Sequence, residues 1–478
     1  MVLAMTDIDE IIGALEAAVG AENVRTGEHV KDDESHDEAL TATPVRPVAV
    51  VTPSAAEDVA AVLVACTAAG VPVTARGSGS GMSGACIPVE GGIVVSFERM
   101  DQILEIDVDN QLAVVQPGVQ LDELDAALAP HGLAYPVYPG EYSATLGGNV
   151  NTNAGGMRAV KYGVTRQHVL GLEAVLATGE VMRTGGRIVK ASTGYDLTQL
   201  IIGSEGTLAL VTEVTLRLSP RPAHSATVLA PFPTLDDVAT AVPRVAASGL
   251  GPAILEYIDM LTLSAMQAQF GLELGIPQEV QSTALAYLVV AMESTHTERL
   301  DEDVHAVSEL LHGLGAVDVY VLPPGAAKEL IEAREKAFWV AKANNADDIV
   351  DIAVPRRAIP EFMATVSDLA AATGSWIAGC GHAGDGNVHL AVFQQDPEVR
   401  STVMIDLFRT CMDLGGVISG EHGIGTEKKK YFMALEDPAK VALMRRIKAA
   451  FDPAGILNPG TVFDMQDADM RDTGKSDG

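Results

Sequence analysis

The stretch GCGHAGDGNVHLAV, Gly379 to Val392, sets His382 and His389 seven residues apart among glycines, an aspartate and an asparagine. About thirty residues further on, SGEHGIG places Glu421 and His422 side by side between Gly420 and Gly423. Neutral imidazole and carboxylate are good ligands for a divalent transition metal, and two histidines with one glutamate leave coordination positions open for a substrate. No HExxH is present, so a zincin-type peptidase is disfavoured. Each residue also has a plainer reading. His382 suits a turn, His389 a hydrogen-bonded core position on a strand, and Asp385, before Gly386, an Asx-turn. The same glycines could form the lip of a phosphate loop. Adjacent residues of an extended segment point to opposite sides. Glu421 and His422 can therefore reach one site only on irregular backbone, which their flanking glycines permit.

A second kind of chemistry is written in glycine. ARGSGSGMSG, Ala75 to Gly84, formally fits GxGxxG through Gly79, Gly81 and Gly84. A nicotinamide-type Rossmann site needs a helix to open at the third glycine, but ACIPVEGG with Pro88 follows instead. Successive glycines can still converge their backbone N–H groups on an anion, and Ser78, Ser80 and Ser83 add hydroxyls. A plain mobile loop is the alternative for this segment alone. YPGEYSATLGGNVNTNAGG, Tyr138 to Gly156, is too long and too glycine-dense for a tight turn, and such a segment brings its backbone close to something flat or phosphorylated. IIGSEGTLALVTEV, Ile201 to Val214, puts a third Gly-rich turn before a strand. Three such loops in one half of the chain point to one large ligand threaded among them.

The elements that must carry these loops follow from periodicity. Val48–Val51 reads as a strand. In the next segment Val59, Val62, Leu63 and Cys66 fall on one helix face behind a capping box of Ser54 and Glu57, and VPVTA reads as a following strand. Strands are expected over Ile93–Phe97, Val108–Gly118 and Thr207–Leu218, a helix over LDELDAALAPHG, and a hairpin over Leu170–Arg183. SPRPAHS, residues 219–225, is the best candidate linker. EAREKAFWVAK reads as one helix and LNPGTVF as a turn. KDDESHDE, 31–38, reads as a solvated acidic face, EKKK, 427–430, as a solvated helix start, and the tail from Gln466 as disordered.

Composition bounds the function. A chain of 478 residues with 47 % hydrophobic content makes two or three globular domains. A formal charge of −32 repels phosphate backbones and anionic membranes, and 4 % aromatics leaves no base-stacking platform. An anionic substrate would need a local cation. Cys66, Cys86, Cys380 and Cys411 show no CxxC and no disulfide framework, so a reducing cytoplasm is expected. No signal peptide and no transmembrane run are read; peripheral membrane contact stays open.

The ordered set RGSGSGMSG, TLGGNVNTNAGG followed by Tyr162-Gly163, and GSEGTLALVTEV resembles the FAD-binding domain of the vanillyl-alcohol-oxidase/PCMH flavoprotein superfamily. With GHAGDGNVH, SGEHGIGTEK and LNPG, the chain is similar to the FAD-linked D-lactate/glycolate dehydrogenases, including the glycolate oxidase D subunit. The resemblance implies an α+β fold, with a two-subdomain PCMH-type FAD-binding domain over 43–220 behind a helical lead-in (1–42). An α+β C-terminal cap of the FAD-linked oxidase type is expected over 221–465 and a tail over 466–478. It implies that Arg76, Gly77, Ser78, Gly79, Ser80, Gly81, Met82 and Ser83 cradle a pyrophosphate. Thr145, Gly147, Gly148, Asn149 and Gly155 would line the flavin, Glu205 and Gly206 would face the adenosine side, and Asn458 would return to the ring. The first loop holds serines where some relatives carry a flavinylated histidine, so non-covalent FAD is expected.

The resemblance also makes His382, His389 and Glu421 ligands of a divalent metal, zinc being the expected ion. His422 becomes the general base for a hydroxyl proton, and Asn387 a residue that contacts substrate or orients a ligand. Arg334 becomes the fork for a substrate carboxylate, a surface ion pair with Glu332 or Glu335 being its plainer reading. Lys428 is a weaker candidate. The implied reaction is oxidation of a small D-2-hydroxy acid such as D-lactate or glycolate to the 2-oxo acid. Electrons would pass to a quinone, cytochrome or electron-transfer protein, and a homodimer is a further expectation. Phe338 and Ile349 stand where 2-hydroxyglutarate enzymes carry polar or basic residues, which makes 2-hydroxyglutarate the runner-up. A flavoprotein subunit of a multi-subunit glycolate oxidase and a flavin-free metal hydrolase are the remaining alternatives.

Overall fold

The computed structural model describes residues 5–465; the sequence expectation for the tail from Gln466 lies outside them. Four sheets organise the described residues. The first has the strands Val24–Thr26, Ala49–Val51, Ile93–Ser96 and Val73–Arg76 in that order, the last three mutually parallel. The helix Ala56–Ala69 makes the crossover and buries Val59, Val62, Leu63 and Cys66 on this sheet. That face is the one the apolar periodicity marks. The expected capping box does not form. Ser54 donates from both N and Oγ to Asp58, one residue beyond Glu57, because the helix starts later than the box requires. Leu457 closes this sheet from the far end of the chain, pairing in parallel with Val73.

The second sheet is antiparallel, ordered Ile103–Asp107, Leu112–Val115, Leu210–Arg217, Val169–Val175 and Val181–Gly185. The strand expected over 108–118 is present but shorter, Leu112–Val115; residues 108–111 are the turn of a hairpin with Ile103–Asp107, and Gln111 there has a positive φ of 52°. The linker expected at 219–225 is structured. Ser219–Pro220 pairs with Leu133–Ala134, and His224 already opens the long strand His224–Phe232.

The third major layer is a seven-stranded antiparallel sheet. Its order is Tyr320–Val321, His224–Phe232, Ala286–Ser294, Ile254–Asp259, Trp376–Gly381, Asn387–Phe393 and Asp348–Ala353. Alternation divides its side chains between two cores. Leu255, Tyr257, Val350, Ile352, Val388 and Val392 face one cluster with the helices Leu235–Ala246, Ile359–Thr373 and Pro397–Asp413. Ile258, Val289 and Cys380 face the other, with Met260–Phe270 and Pro324–Glu335. This second face looks towards the Gly-rich half. Glu293 on it takes hydrogen bonds from Arg158 and Tyr162. The helix expected over EAREKAFWVAK breaks at Lys336 into Pro324–Glu335 and Ala337–Ala343. Among the described residues no helix is long and apolar enough to cross a membrane.

Candidate active site

Strand register sets the first histidine. His389 lies opposite Cys380 on one neighbour and Asp351 on the other, all three on the sheet face turned to the Gly-rich half. His382 sits just past the strand Trp376–Gly381, in a turn closed by N–H groups of Asp385, Gly386 and Asn387 on its carbonyl. Gly386 has φ 92°, and a Cβ there would stand 2.0 Å from the Val354 carbonyl oxygen, so only glycine fits. The turn brings the two imidazoles edge to face with centroids 4.8 Å apart, and His422 stacks on His389 at 5.2 Å.

Glu421 joins them. Its Oε1 is 3.1 Å from His382 Nε2 and 3.3 Å from His389 Nε2. One ligand atom from each of the three lies within 4.8 Å of the others, a donor set with the composition of a transition-metal site. His389 Nε2 is buried and finds no aligned hydrogen-bond partner. Burial works against a charge on His382, yet the carboxylates of Glu256 and Glu421 raise its pKa to about 10. The pocket thus calls for positive charge at the point where the ligand atoms converge. Asp351, His389 and His422 form a second such group, but Asp351 is already saturated. It takes Asn387 Nδ2 (2.9 Å), Ser419 Oγ (2.8 Å), the backbone N–H groups of Glu421 (3.1 Å) and His422 (2.9 Å), and Lys428 Nζ (3.3 Å). Burial alone would raise its pKa; the facing His422, Lys428 and His389 hold it well below the usual range.

These bonds explain how Glu421 and His422 serve one place. Asp351 gathers both of their N–H groups, so the segment is bent around a carboxylate rather than extended. A Cβ on Gly420 would lie 2.2 Å from Asn387 Nδ2. Asn387 spends its amide on Asp351 and the Ile352 carbonyl, so it positions the hub from behind. Lys428, expected at a solvated helix start, is buried instead and pairs with Asp351. His422 Nδ1 is 3.8 Å from Asp351 Oδ2. Burial, with Lys428 and His389 nearby and against the opposing Asp351, lowers the His422 pKa to about 4, which leaves its imidazole neutral at pH 7.

Arg334 is buried and makes neither of the surface pairs open to it in the sequence. Its Nη2 stands 2.7 Å from Glu256 Oε2. That contact is not aligned as a hydrogen bond, and Nε and Nη2 have no acceptor. A buried guanidinium with free donors is a place for an incoming carboxylate. The other oxygen of Glu256 is 2.8 Å from His382 Nδ1. Glu256 therefore connects the cation to the histidine. Neither Glu256 nor Asp351 was singled out in the sequence; the available signal was a lone acid on the inward phase of an apolar strand, ILEYID and DIVDIA.

The Gly-rich segments form a cavity of their own. Arg76, Gly77, Ser78, Gly79, Ser80, Gly81, Met82 and Ser83 line it, with Thr145, Gly147, Gly148, Asn149, Glu205 and Gly206. Ser83 Oγ, Thr145 Oγ1 and Asn149 Nδ2 are buried there without partners, as expected of walls that fit a polar ligand. A Cβ on Gly77 would stand 2.1 Å from Thr145 Oγ1, so the first two loops meet across a bare backbone. Arg76 turns its guanidinium aside to the His36 carbonyl. Two residues, Gly155 and Asn458, are placed differently from the sequence expectation, and Glu205, though it lines the cavity, spends its carboxylate elsewhere. Glu205 turns its carboxylate to the N–H groups of Ile424 and Gly425 at 2.8 and 2.7 Å, bracing the segment after His422. Gly155 is packed against Glu421, where a Cβ would be 2.7 Å from Oε2. Asn458 does not line the cavity, because its amide is committed to Thr74, Ala85 and Glu205. Asp37 and Glu34, from the acidic run read as solvated, are both buried, and Asp37 joins the cavity wall.

A second cavity, of about 390 Å³, contains Arg334, His382 and His389. The two cavities share Met82, Pro139, Glu421 and His422. A ligand in the Gly-rich cradle and one bound at the histidines would therefore meet at His422.

Residues 221–462 match the family of FAD linked oxidases, C-terminal domain, and residues 47–185 match the FAD binding domain family. An uncharacterized FAD-linked oxidoreductase of Mycobacterium tuberculosis is 58 % identical over 95 % of this chain and 99 % of its own length. A D-lactate dehydrogenase of Anaerostipes hadrus is 36 % identical over 93 % of this chain and 95 % of its own. The structure of p-cresol methylhydroxylase with substrate bound superposes with a TM-score of 0.78, over 97 % of this chain and 98 % of that one, at 18 % identity.

Proposed function

This chain belongs to the FAD-linked oxidase family, with a PCMH-type FAD-binding fold joined to the family's C-terminal domain, and on that premise we propose that it oxidises a D-2-hydroxy acid to the 2-oxo acid. The observation that carries this reading is a convergence. His382, His389 and Glu421 offer ligand atoms to one point, Arg334 offers free donors in the same cavity, and His422 stands where that cavity meets the Gly-rich cradle. The division at 43–220 and 221–465 is part of the proposal.

In the proposed reaction Arg334 binds the substrate carboxylate through Nε and Nη2. Glu256 holds both Arg334 and His382 in place. His422, kept neutral by burial and oriented by Asp351, takes the hydroxyl proton as hydride leaves Cα. Asn387, Ser419 and Lys428 fix Asp351 and so the base. When bound, non-covalent FAD supplies the hydride acceptor and a divalent cation, for which zinc suits the donor set, polarises the hydroxyl. The cradle of residues 76–83 with Thr145, Gly147, Gly148 and Asn149 would hold the former, and His382, His389 and Glu421 the latter. Electrons then pass to an acceptor outside this chain.

Phe338 and Ile349 both line the substrate cavity. They supply no counter-charge for a second carboxylate, which favours a monocarboxylate over 2-hydroxyglutarate. Anaerobic mixing with a panel of D-2-hydroxy acids, with and without chelator, tests the reading. Bleaching of the flavin absorbance by at least one acid is expected; no bleaching by any acid would sink it.

A further inference from the structure

The cavity is much larger than an acid head group needs, and its walls have a direction. The strands Trp376–Gly381, Asn387–Phe393 and Asp348–Ala353 run side by side, and residues two apart on them share a face. The rung with His389 also carries Cys380 and Asp351. The next carries Ala378, Ala391 and Ile349, and the outermost pairs Trp376 with Phe393. All five residues of the two outer rungs line the cavity. At about 3.4 Å per residue the face extends roughly 14 Å from His389 to Phe393. Two of the three residues of the middle rung, Ala378 and Ala391, are alanines, so space is left above them. Leu261 and Ala265, from the helix Met260–Phe270, and Phe338 and Ala341, from Ala337–Ala343, line the same cavity. Trp376, 70 % exposed, marks the mouth.

Charge along this path is one-sided. Among the described residues Arg334 is the only Arg or Lys lining the cavity, and it sits at the His382 end beside Glu256. Lys342 does not line the cavity; its Nζ, 5.9 Å from the Phe338 ring centroid, is paired with Glu38 at 2.5 Å. Among the described residues the one acid of the wall outside the histidine cluster is Glu335, which accepts from Tyr142 and has a buried oxygen without a partner. A second carboxylate on the substrate would meet no cation. A methyl group, as in lactate, would leave the two outer rungs untouched. An apolar cavity of about 150 Å³ already takes up benzene, and this one measures about 390 Å³.

We propose that the substrate is a 2-hydroxy acid with a long or bulky apolar side chain, alkyl or aryl, lying over Ala378 and Ala391 with its end at Trp376 and Phe393. This rests on the 2-hydroxy-acid reading above and replaces the small-acid expectation within it. The head group stays at Arg334 and His422, and the tail contributes through burial of apolar surface.

The test is steady-state oxidation by the purified holoprotein, with an artificial electron acceptor, of glycolate, D-lactate, D-2-hydroxyhexanoate, D-2-hydroxyoctanoate, D-phenyllactate and D-2-hydroxyglutarate. The expected kcat/KM rises roughly fourfold for each methylene added after D-lactate, with D-phenyllactate among the best and D-2-hydroxyglutarate among the worst. Ala391→Phe should lower the ratio of D-2-hydroxyoctanoate to D-lactate at least tenfold, with residual D-lactate oxidation reporting that the site is assembled. Equal or falling kcat/KM along the series would overturn the proposal while leaving the hydroxy-acid reading intact. So would long-chain acids that compete with the electron acceptor instead of with D-lactate. No oxidation of any acid would overturn both.

Discussion

Glu256 Oε1 stands 2.8 Å from His382 Nδ1, so a carboxylate on one strand sets the ring orientation of a histidine in the turn after its neighbour. The same carboxylate faces Arg334 through its other oxygen. Carboxylates behind metal-binding imidazoles raise ligand basicity and fix the tautomer. Glu256→Gln should therefore weaken metal binding by about tenfold to a hundredfold. Equilibrium dialysis against zinc, with atomic absorption as the readout, checks this, and unchanged affinity would refute the coupling.

Metal removal should separate binding of flavin from its reduction. None of the residues in the Gly-rich cradle, 76–83 or 145–149, belongs to the His382, His389 and Glu421 group. Dialysis against chelator is expected to leave the flavin absorbance in the protein and to abolish its bleaching by hydroxy acid. Re-addition of zinc should restore bleaching. Loss of the flavin itself would show that the two sites are not independent.

Arg334→Lys keeps the charge but loses the planar fork. A charge-assisted hydrogen bond is worth about 1.5–3 kcal/mol. Stopped-flow reduction should show a lower kcat/KM by roughly tenfold to a hundredfold, mostly through weaker substrate binding. Arg334→Lys activity equal to the parent's would remove Arg334 from carboxylate recognition.

Glu205 makes stability depend on pH. Burial raises its pKa from 4.5 to about 7, against the two N–H groups of Ile424 and Gly425. A folded-state pKa above the unfolded one means the contribution is fully present below pH 4.5 and is lost as pH rises through 7. The loss is on the order of 2–4 kcal/mol. Thermal unfolding of the parent should therefore fall more steeply from pH 5 to pH 7.5 than that of Glu205→Gln. Parallel Tm curves for the two would contradict the assignment.

The extent to which sequence revealed the site follows from how each residue is displayed. His382, His389, Glu421 and His422 stand in short Gly-flanked strings, where turn chemistry and ligand type can be read together. Glu256 and Asp351 each sit inside a strand that reads as core, and only register shows that both face the histidines. Lys428 was read by its neighbours: three consecutive lysines look solvated, yet the first is turned inward by the helix start at Lys429. The same averaging hid Glu34 and Asp37 in an acidic run. Helix and strand periodicity located the β-α-β start and the hairpin over 169–185. It placed the strand at 112–115 with its start too early, and it failed at 219–225, where pairing with the distant Leu133–Ala134, invisible locally, decides the conformation.

One consequence concerns the order in which this chain is made. The Val73 N–H donates to the Ile456 carbonyl, the Val73 carbonyl accepts from the Asn458 N–H, and Lys448 reaches back to the Thr207 carbonyl. Chains emerge from the ribosome amino end first, and domains tend to fold as they emerge. Here the Gly-rich half cannot complete its first sheet until the last residues of the other half have been synthesised. The first sheet is thus finished late, and a nascent chain halted before Ile456 would carry every residue of loops 75–84 and 138–156 without the segment that bridges to Val73.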